Sequence, residues 1–248
     1  MYKKICVILL TIILIFSGIY IFQLSKFGKK EEVLKTDCNL NSDGYPINEV
    51  KILLPAVKDD GDGMMVWLSV DVYPGSGRTL IDINNILFWE DTQESIRLAK
   101  EIAGNITGKN LSNFDLVYFI DANASKIEGP SAGPAVAIAT IFALENKTLN
   151  NSVVISGYLR SDGRIGRVSG LLEKAQSAKE NGVKLFIVPK GQRYQIKTET
   201  IKKCDEIGFT TFCRTETFSN RVDIEEEVGI DVVEVERLSD AIGYFNVN

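Results

Sequence analysis

A serine and a lysine are the residues of this sequence that could carry out chemistry together. Ser131 follows a Gly-Pro pair in the motif EGPSAG (128–133), where an apolar run predicted to be a buried helix begins. Free backbone N–H groups and the positive end of the helix dipole at such a position would stabilise an alkoxide or a tetrahedral oxyanion. Serines that only cap a helix favour the same position, so this motif alone leaves both interpretations open.

A nucleophilic serine here needs a base other than histidine, because the 248-residue sequence contains none. Ser-His-Asp and Cys-His hydrolases and His-ligated zinc sites are therefore excluded. A buried lysine is the usual substitute, and its pKa must fall from about 10.4 toward roughly 7–8. In the predicted helix 171–181, Lys174 lies at the edge of the apolar face and Lys179 nearer its middle. Helical phase therefore does not choose between the two lysines.

Other chemistries find little support in the sequence. The net charge is −5, and no basic stripe typical of nucleic-acid binders occurs. The stretch GNITGKN (104–110) is one residue shorter between its glycines than a Walker A loop, and it ends in Asn where Ser or Thr should bind magnesium. The run DDGDG (59–63) lacks the other ligands of a calcium loop and predicts a hairpin turn. We expect no metal, no nucleotide such as ATP and no nucleic acid as cofactor or partner.

From Glu128 to Gln192 the sequence resembles the proteolytic domain of Lon proteases. EGPSAG resembles the nucleophile motif of that family, and residues 153–192 resemble the strand, turn, lysine helix and strand that come after it. The family's catalytic lysine comes forty-three positions after its serine, which here leads from Ser131 to Lys174. A weaker similarity extends upstream over residues 67–83 and 95–108.

The resemblance implies a serine-type endopeptidase with Ser131 as nucleophile and Lys174 as general base. Ser156 stands where the family has a threonine thought to hold the lysine, so a hydroxyl is kept. The supporting positions in the nucleophile motif are Glu128, Gly129 and Pro130.

Two departures from the family pattern leave the reacting groups in place. Pro134 follows the motif directly, within a first helical turn that tolerates proline, and Ser169 replaces a glycine before the lysine helix. Lon proteins also carry an ATP-driven unfoldase, which finds no counterpart in this sequence. A transmembrane anchor on a stand-alone Lon-type domain resembles the ATP-independent, membrane-attached relatives of the family. Such an enzyme is expected to accept polypeptide that is already unfolded or flexible, or to rely on a separate partner chain.

The elements that position these residues form an α+β pattern. Strands appear first as a predicted hairpin and later alternate with helices, which indicates one Lon-like domain over residues 49–248. The predicted strands are 50–57, 64–74, 79–83, 115–121, 152–156, 183–188 and 230–235, and the predicted helices are 92–104, 131–145, 171–181 and 238–245.

An apolar segment precedes this domain. Residues 5–24 carry no charge and are long enough to cross a roughly 30 Å hydrocarbon core as a helix. We interpret residues 1–30 as a single-pass transmembrane signal-anchor with its flanks, in contact with membrane lipid, and 31–48 as a polar linker. A basic start before an apolar run also describes a cleaved secretory signal, but this run is long for a signal and no clear A-x-A cleavage site follows it.

The lysines on the two sides of the apolar run nearly balance, so the positive-inside rule sets no firm orientation. A short basic start before an uncleaved apolar run exports the chain downstream of it, and on that ground we expect an extracytoplasmic domain.

The cysteines and the family resemblance yield further expectations. Cys204 and Cys213 could form a disulfide in an oxidising compartment, or remain two buried thiols. The resemblance implies a homo-oligomeric ring, a hexamer in the simplest case. The alternative functions are a catalytically inactive Lon-like module for assembly or binding at the membrane, and a Ser/Lys hydrolase of non-peptide substrates such as an amidase.

Overall fold

The computed structural model describes residues 45–58, 60–82, 87–88, 90–121, 126–127, 129–207 and 209–247. The predicted membrane segment 5–24 and most of the predicted linker lie outside these residues, and the domain bounds proposed for 1–48 stay predictions. None of the helices within the described ranges is both long and apolar enough to span a bilayer.

The described part combines helices with strands, as the sequence predicts. In chain order the helices are α1 (Glu90–Thr107), α2 (Gly133–Glu145), α3 (Leu171–Glu180), α4 (Ile224–Val228) and α5 (Leu238–Ile242). The strands are β1 (Asn48–Val57), β2 (Gly63–Pro74), β3 (Thr79–Ile81), β4 (Leu87–Phe88), β5 (Phe114–Asp121), β6 (Lys126–Ile127), β7 (Val153–Ile155), β8 (Tyr158–Leu159), β9 (Ile165–Gly166), β10 (Leu185–Pro189), β11 (Tyr194–Ile207), β12 (Thr210–Asp223) and β13 (Asp231–Val235).

The predicted hairpin at the start of the domain is confirmed. β1 and β2 pair antiparallel, with Val57 opposite Gly63 beside the turn. They belong to a four-stranded sheet in the order β1-β2-β5-β3, in which only β3 and β5 pair in parallel. Alternate residues of β2 are buried, which gives this sheet a core face and a more exposed face.

The buried helix predicted after the EGPSAG motif is α2. Every residue from Gly133 to Leu144 is buried, because α2 packs against β1 and β2 and also against α1. Helix α1 starts at Glu90, before the predicted cap Thr92, and it continues past Gly104 to Thr107. The prediction that the helix ends at Gly104 was wrong. Gly104 allows close packing instead, because a Cβ there would lie 2.6 Å from Leu111 Cδ1.

A second, smaller sheet also lines the core. Strands β13, β10 and β7 pair in parallel in that order, and α3 makes the crossover from β7 to β10. Helix α3 packs against the β1–β2 hairpin and against α4. Buried Leu171, Ala175 and Ala178 on α3 join an apolar cluster that includes Val154, Phe186 and Val188 of this sheet.

A long two-stranded ribbon was not predicted from the sequence. Strands β11 and β12 pair antiparallel over their full length and join no other sheet among the described residues. Most of their side chains are exposed on both faces, so the ribbon lacks the alternation of buried and exposed residues by which sheet strands are recognised. Cys204 and Cys213 lie directly opposite one another and form a disulfide. Helix α4 and the short strands β4, β6, β8 and β9 were also not predicted.

Candidate active site

Ser131 lies in a tight turn that leads into α2. Gly129 adopts φ 90° and ψ 148°, a conformation open mainly to glycine, and residues Pro130–Ala132 form one 3-10 turn before α2 begins at Gly133. Proline suits the first position of this turn because its φ is fixed and it has no N–H to satisfy. The Gly-Pro-Ser sequence thus places the serine hydroxyl ahead of the N-terminus of a buried helix.

The serine does not act as a helix cap. Gly129 is the N-cap of the 3-10 turn and Ala132 that of α2, and neither position has a side-chain capping hydrogen bond. The Ser131 Oγ instead accepts a hydrogen bond of 3.1 Å from Lys174 Nζ. Of the two interpretations that the motif allowed, the geometry supports the chemical one.

The structure also separates the two candidate lysines. Lys174 is only 5% exposed and lies on the buried face of α3 with Leu171 and Ala178. Lys179 is exposed, and its Nζ donates to the carbonyl of Gly229. Helical phase put Lys174 at the edge of the apolar face and Lys179 nearer its middle. This placement was wrong, because the face of α3 that packs on the first hairpin buries Lys174 and leaves Lys179 exposed.

The Lys174 ammonium lies among three oxygen acceptors. Nζ donates to Ser131 Oγ at 3.1 Å, to Ser156 Oγ at 3.2 Å and to the carbonyl of Ser169 at 3.3 Å. Burial lowers the pKa of Lys174 from its ordinary 10.5 to about 8, although the carboxylate of Glu173 acts in the opposite direction. This lysine can therefore lose its proton near neutral pH, as a general base must.

Strand β7 ends at the point where the serine and the lysine meet. Ser156, the residue after β7, is fully buried and its N–H donates to the carbonyl of Ile187 in β10 at 3.1 Å. The next residue, Gly157, donates its N–H to the carbonyl of Ser131 at 3.0 Å. The end of β7 thus holds the lysine through a hydroxyl and the nucleophile turn through the backbone.

Asp91 is a contributor that the sequence reasoning missed. It lies in the first turn of α1, and its Oδ2 accepts the N–H of Gly129 at 3.0 Å. That N–H is therefore engaged, and Pro130 has none to offer. The only sequence signal was a carboxylate at a helix start, which usually indicates helix stabilisation alone.

The remaining predicted positions belong to the nucleophile motif. Gly129 and Pro130 shape the nucleophile turn, as the motif suggested. Glu128 lies outside the described residues. Within the residues that the structure describes, no three side chains of the metal-binding types Asp, Glu or Cys come together in a cluster.

The arrangement can activate a hydroxyl for attack on an electrophile. When Lys174 is neutral, its Nζ can accept the Ser131 proton along the contact seen here, and burial keeps competing water away. The helix N-terminus behind Ser131 favours the negative charge that develops during attack on a carbonyl.

Comparisons with known proteins match the chain to one protease family. The family model of the Lon protease (S16) C-terminal proteolytic domain matches residues 89–213, a range that contains Ser131, Ser156 and Lys174. The chain is 27% identical over 152 residues to an archaeal Lon protease of Archaeoglobus fulgidus. This match covers 60% of this chain and 24% of that protein.

Two further relatives show the same pattern of partial coverage. Identity is 33% over 97 residues to an archaeal Lon protease of Thermoplasma volcanium, covering 39% of this chain and 15% of that protein. A Lon protease of Mesomycoplasma hyopneumoniae is 31% identical over 134 residues, and this match covers 52% of this chain and 15% of that protein. The chain therefore spans less than a quarter of the length of each of these three relatives.

Proposed function

Because this chain belongs to the family of Lon protease (S16) C-terminal proteolytic domains, we propose that it is a serine-type endopeptidase with a Ser131/Lys174 dyad. The observation that carries the proposal is the 3.1 Å contact between Lys174 Nζ and Ser131 Oγ. It joins a nucleophile at a helix start to a lysine whose pKa is lowered to about 8.

In the proposed reaction Lys174 moves one proton in each half. Ser131 Oγ attacks the carbonyl carbon of the peptide bond while neutral Lys174 Nζ takes the hydroxyl proton. The C–N bond then breaks, and the Lys174 ammonium returns that proton to the leaving amine, which leaves an ester on Ser131. Lys174 next takes a proton from water, the hydroxide adds to the ester, and the proton returns to Ser131 Oγ as the C–O bond breaks.

A backbone donor is proposed for the oxyanion. The sequence led us to expect several N–H groups at the helix start. Gly129 already donates its N–H to Asp91, so we assign the role to the N–H of Ser131, the first one after Pro130. Ser156 is proposed to hold Lys174 toward Ser131 through the hydrogen bond at 3.2 Å.

The dyad is tested with full-length protein in mild detergent on an unfolded protein such as reduced casein. Ser131→Ala and Lys174→Ala should each abolish turnover, and the double variant should lose little more, because the residues act as a unit. Lys174→Arg should fail equally, since a guanidinium keeps its proton at these pH values.

The matched control is Lys179→Ala, which removes the exposed lysine of the same helix. It should retain full activity. Full activity in Lys174→Arg together with loss in Lys179→Ala would refute the assignment. If wild-type protein neither turns over peptide nor reacts with a serine-directed probe, the alternative of an inactive assembly or binding module is favoured.

We further propose that the substrate is unfolded or flexible polypeptide and that hydrolysis needs no ATP. The support lies in the sequence, since the stretch GNITGKN lacks the spacing and the Ser or Thr of a Walker A loop. Casein cleavage should be equal with and without ATP and magnesium. Stimulation by ATP in the purified chain would contradict this proposal, and so would equal cleavage of folded and unfolded forms of one protein.

Membrane attachment through residues 5–24 and an extracytoplasmic position are proposed together. The uncharged apolar run supports the first, and the Cys204–Cys213 disulfide supports an oxidising compartment. Protease added to intact cells should digest the domain. A domain that survives until the cells are lysed would be cytoplasmic.

A homo-oligomer, in the simplest case a six-membered ring, is also proposed. This rests on family membership and on the rule that head-to-tail contacts form rings when the rotation closes. The mass of full-length protein in mild detergent should be a multiple of the chain mass after the bound detergent is subtracted. A strictly monomeric mass would contradict it.

A further inference from the structure

Gln192 is a buried polar residue that the proposed mechanism does not yet use. Its side chain is only 4% exposed, although it lies between the end of β10 and the start of the ribbon. Buried amide side chains are retained where their hydrogen bonds are satisfied, so the partners indicate the role.

Both polar atoms of this side chain bind the backbone of a single residue. The N–H of Val168 donates to Gln192 Oε1 at 2.9 Å, and Gln192 Nε2 donates to the carbonyl of Val168 at 2.7 Å. This pair of hydrogen bonds copies the exchange between two strands of a sheet. It fixes the position and the orientation of the Val168 peptide groups.

Val168 directly precedes the residue whose carbonyl contacts the lysine. The carbonyl of Ser169 accepts from Lys174 Nζ at 3.3 Å, and Ser169 leads through Gly170 into α3. Gln192 is itself anchored, because its N–H donates to the carbonyl of Pro189 at 3.0 Å and its carbonyl accepts from Gln195 Nε2 at 2.7 Å. Hydrogen bonds therefore link Gln195 through Gln192 to Val168, and the backbone continues from Val168 to the Ser169 carbonyl that contacts Lys174.

We propose that Gln192 is a positioning residue for Lys174, which holds the Ser169 carbonyl against Nζ through its two hydrogen bonds with Val168. This inference rests on the proposed function, in which Lys174 is the base. The Ser169 carbonyl directs Nζ between Ser131 and Ser156 and stabilises the ammonium that forms while Ser131 is attacking. Without the Gln192 hydrogen bonds the loop shifts and the lysine loses one of its three acceptors.

The test compares Gln192→Ala and Gln192→Met with wild type in full-length protein on a fluorogenic peptide. Methionine keeps the buried volume and removes both hydrogen bonds, so it serves if the alanine variant folds poorly. The matched control is Gln176→Ala, which changes an exposed glutamine of α3 whose Nε2 donates to Glu180. Titration of reactive serine gives rates per folded molecule, and wild type with Ser131→Ala establishes separately whether the proposed function holds.

We expect kcat per reactive serine to fall about tenfold in both Gln192 variants, with KM changed less than about twofold. The midpoint of the rise of kcat with pH should also move to lower pH, since loss of a carbonyl acceptor disfavours the charged lysine. Unchanged kcat and midpoint, or a loss explained by the unfolded fraction, would refute the proposal. A midpoint that moves to higher pH would mean that Gln192 excludes water from Lys174 rather than holding the carbonyl.

Discussion

At the scale of single residues, the burial that lowers the pKa of Lys174 also makes this residue unfavourable for folding. Its pKa is about 8 in the folded protein, below the ordinary 10.5. Between these values the unfolded chain binds the extra proton more readily, so stability increases as pH rises from 8 toward 10.5. At neutral pH the penalty for keeping this charge buried is on the order of 3 kcal/mol.

The stability of the Lys174→Met variant tests this penalty. Methionine keeps most of the buried volume and carries no charge, so the variant should be more stable than wild type at pH 7. The advantage should shrink as the pH rises from 8 toward 10.5, and it should vanish above 10.5, where the wild-type lysine is neutral in both states. Denaturant unfolding of both proteins across this pH range measures the difference. A variant that is less stable than wild type at pH 7 would show that the three hydrogen bonds outweigh desolvation.

Activity should depend on the same group with a defined sign. Because Lys174 must be neutral to take the serine proton, kcat should rise with pH through about 8. Only about a tenth of the molecules hold a neutral lysine at pH 7 on this basis. A profile of kcat on a fluorogenic peptide from pH 6 to 10 gives the midpoint. A change of kcat near pH 6.5 would indicate a titrating group other than Lys174. That group could not be a histidine, because the sequence contains none.

At the scale of elements, the packing of α3 on the first hairpin positions the lysine. A Cβ at Gly63 would lie 2.0 Å from the carbonyl oxygen of Glu173 and 2.9 Å from Ser177 Cβ. Gly63→Ala should therefore push α3 away, lower stability by about 1–3 kcal/mol and reduce kcat beyond the loss of folded protein. Thermal unfolding and serine titration separate the two effects.

Gly243→Ala is the matched control for this substitution. Gly243 has helical backbone angles, and an added Cβ there meets nothing within 4 Å. Its kcat should equal that of wild type, and its stability should be unchanged or higher by up to about 1 kcal/mol, because alanine lowers the entropy of the unfolded chain. If Gly63→Ala behaves like Gly243→Ala, the helix position does not depend on that contact.

The start of α1 has a comparable influence on the nucleophile turn. Asp91→Ala removes the acceptor of the Gly129 N–H, so the turn loses one constraint and kcat should fall about tenfold. Asp91→Asn keeps an oxygen acceptor and should restore most of the activity. Glu90→Ala, an exposed acidic residue of the same helical turn, is the control for charge. Wild-type kcat in Asp91→Ala would show that the Gly129 contact is dispensable.

At the scale of the whole molecule, the serine and the lysine meet because the same strands contribute residues to two apolar clusters. Ile52 and Leu54 of β1 point into the cluster that holds α2, and Leu53 points into the cluster that holds α3. The residues of β7 alternate in the same way. Val153 and Ile155 point into the cluster that holds α2, and Val154 points into the cluster that holds α3. The nucleophile helix and the lysine helix therefore pack on opposite faces of shared strands and approach one another past the end of β7.

The ribbon stands apart from these clusters, so its disulfide should not influence the site. Replacing both Cys204 and Cys213 with serine should leave hydrolysis of a short peptide within about twofold of wild type. The closed loop is short, and its removal frees on the order of 2–3 kcal/mol of restraint on local opening. Limited proteolysis should then cut the ribbon faster in the variant. Loss of peptide hydrolysis would show that the outer ribbon is coupled to the dyad.

The sequence by itself narrowed the candidates for the reacting residues. The absence of histidine and the EGPSAG motif indicate a serine that needs a base other than histidine, and the resemblance to the Lon family, rather than local pattern, implied Lys174 as that base. Local pattern predicted the hairpin, the buried helix α2 and the helix α3, because apolar periodicity, turn residues and length are properties of short segments. These predictions needed no knowledge of distant contacts.

Only the tertiary structure decided how those residues are used. Helical phase placed Lys179 nearer the middle of the apolar face. In the structure Lys174 is buried instead, because α3 packs against β1 and β2 and Lys174 contacts the nucleophile turn. These contacts join parts of the chain that are far apart in sequence. Asp91 and Gln192 act on the backbone of Gly129 and Val168, so no residue pattern reveals them. The ribbon escaped prediction because neither face is buried. Burial and long-range hydrogen bonds depend on the packed chain as a whole. Burial lowers the pKa of Lys174 to about 8, and the hydrogen bonds place its Nζ beside Ser131, as the proposed role requires.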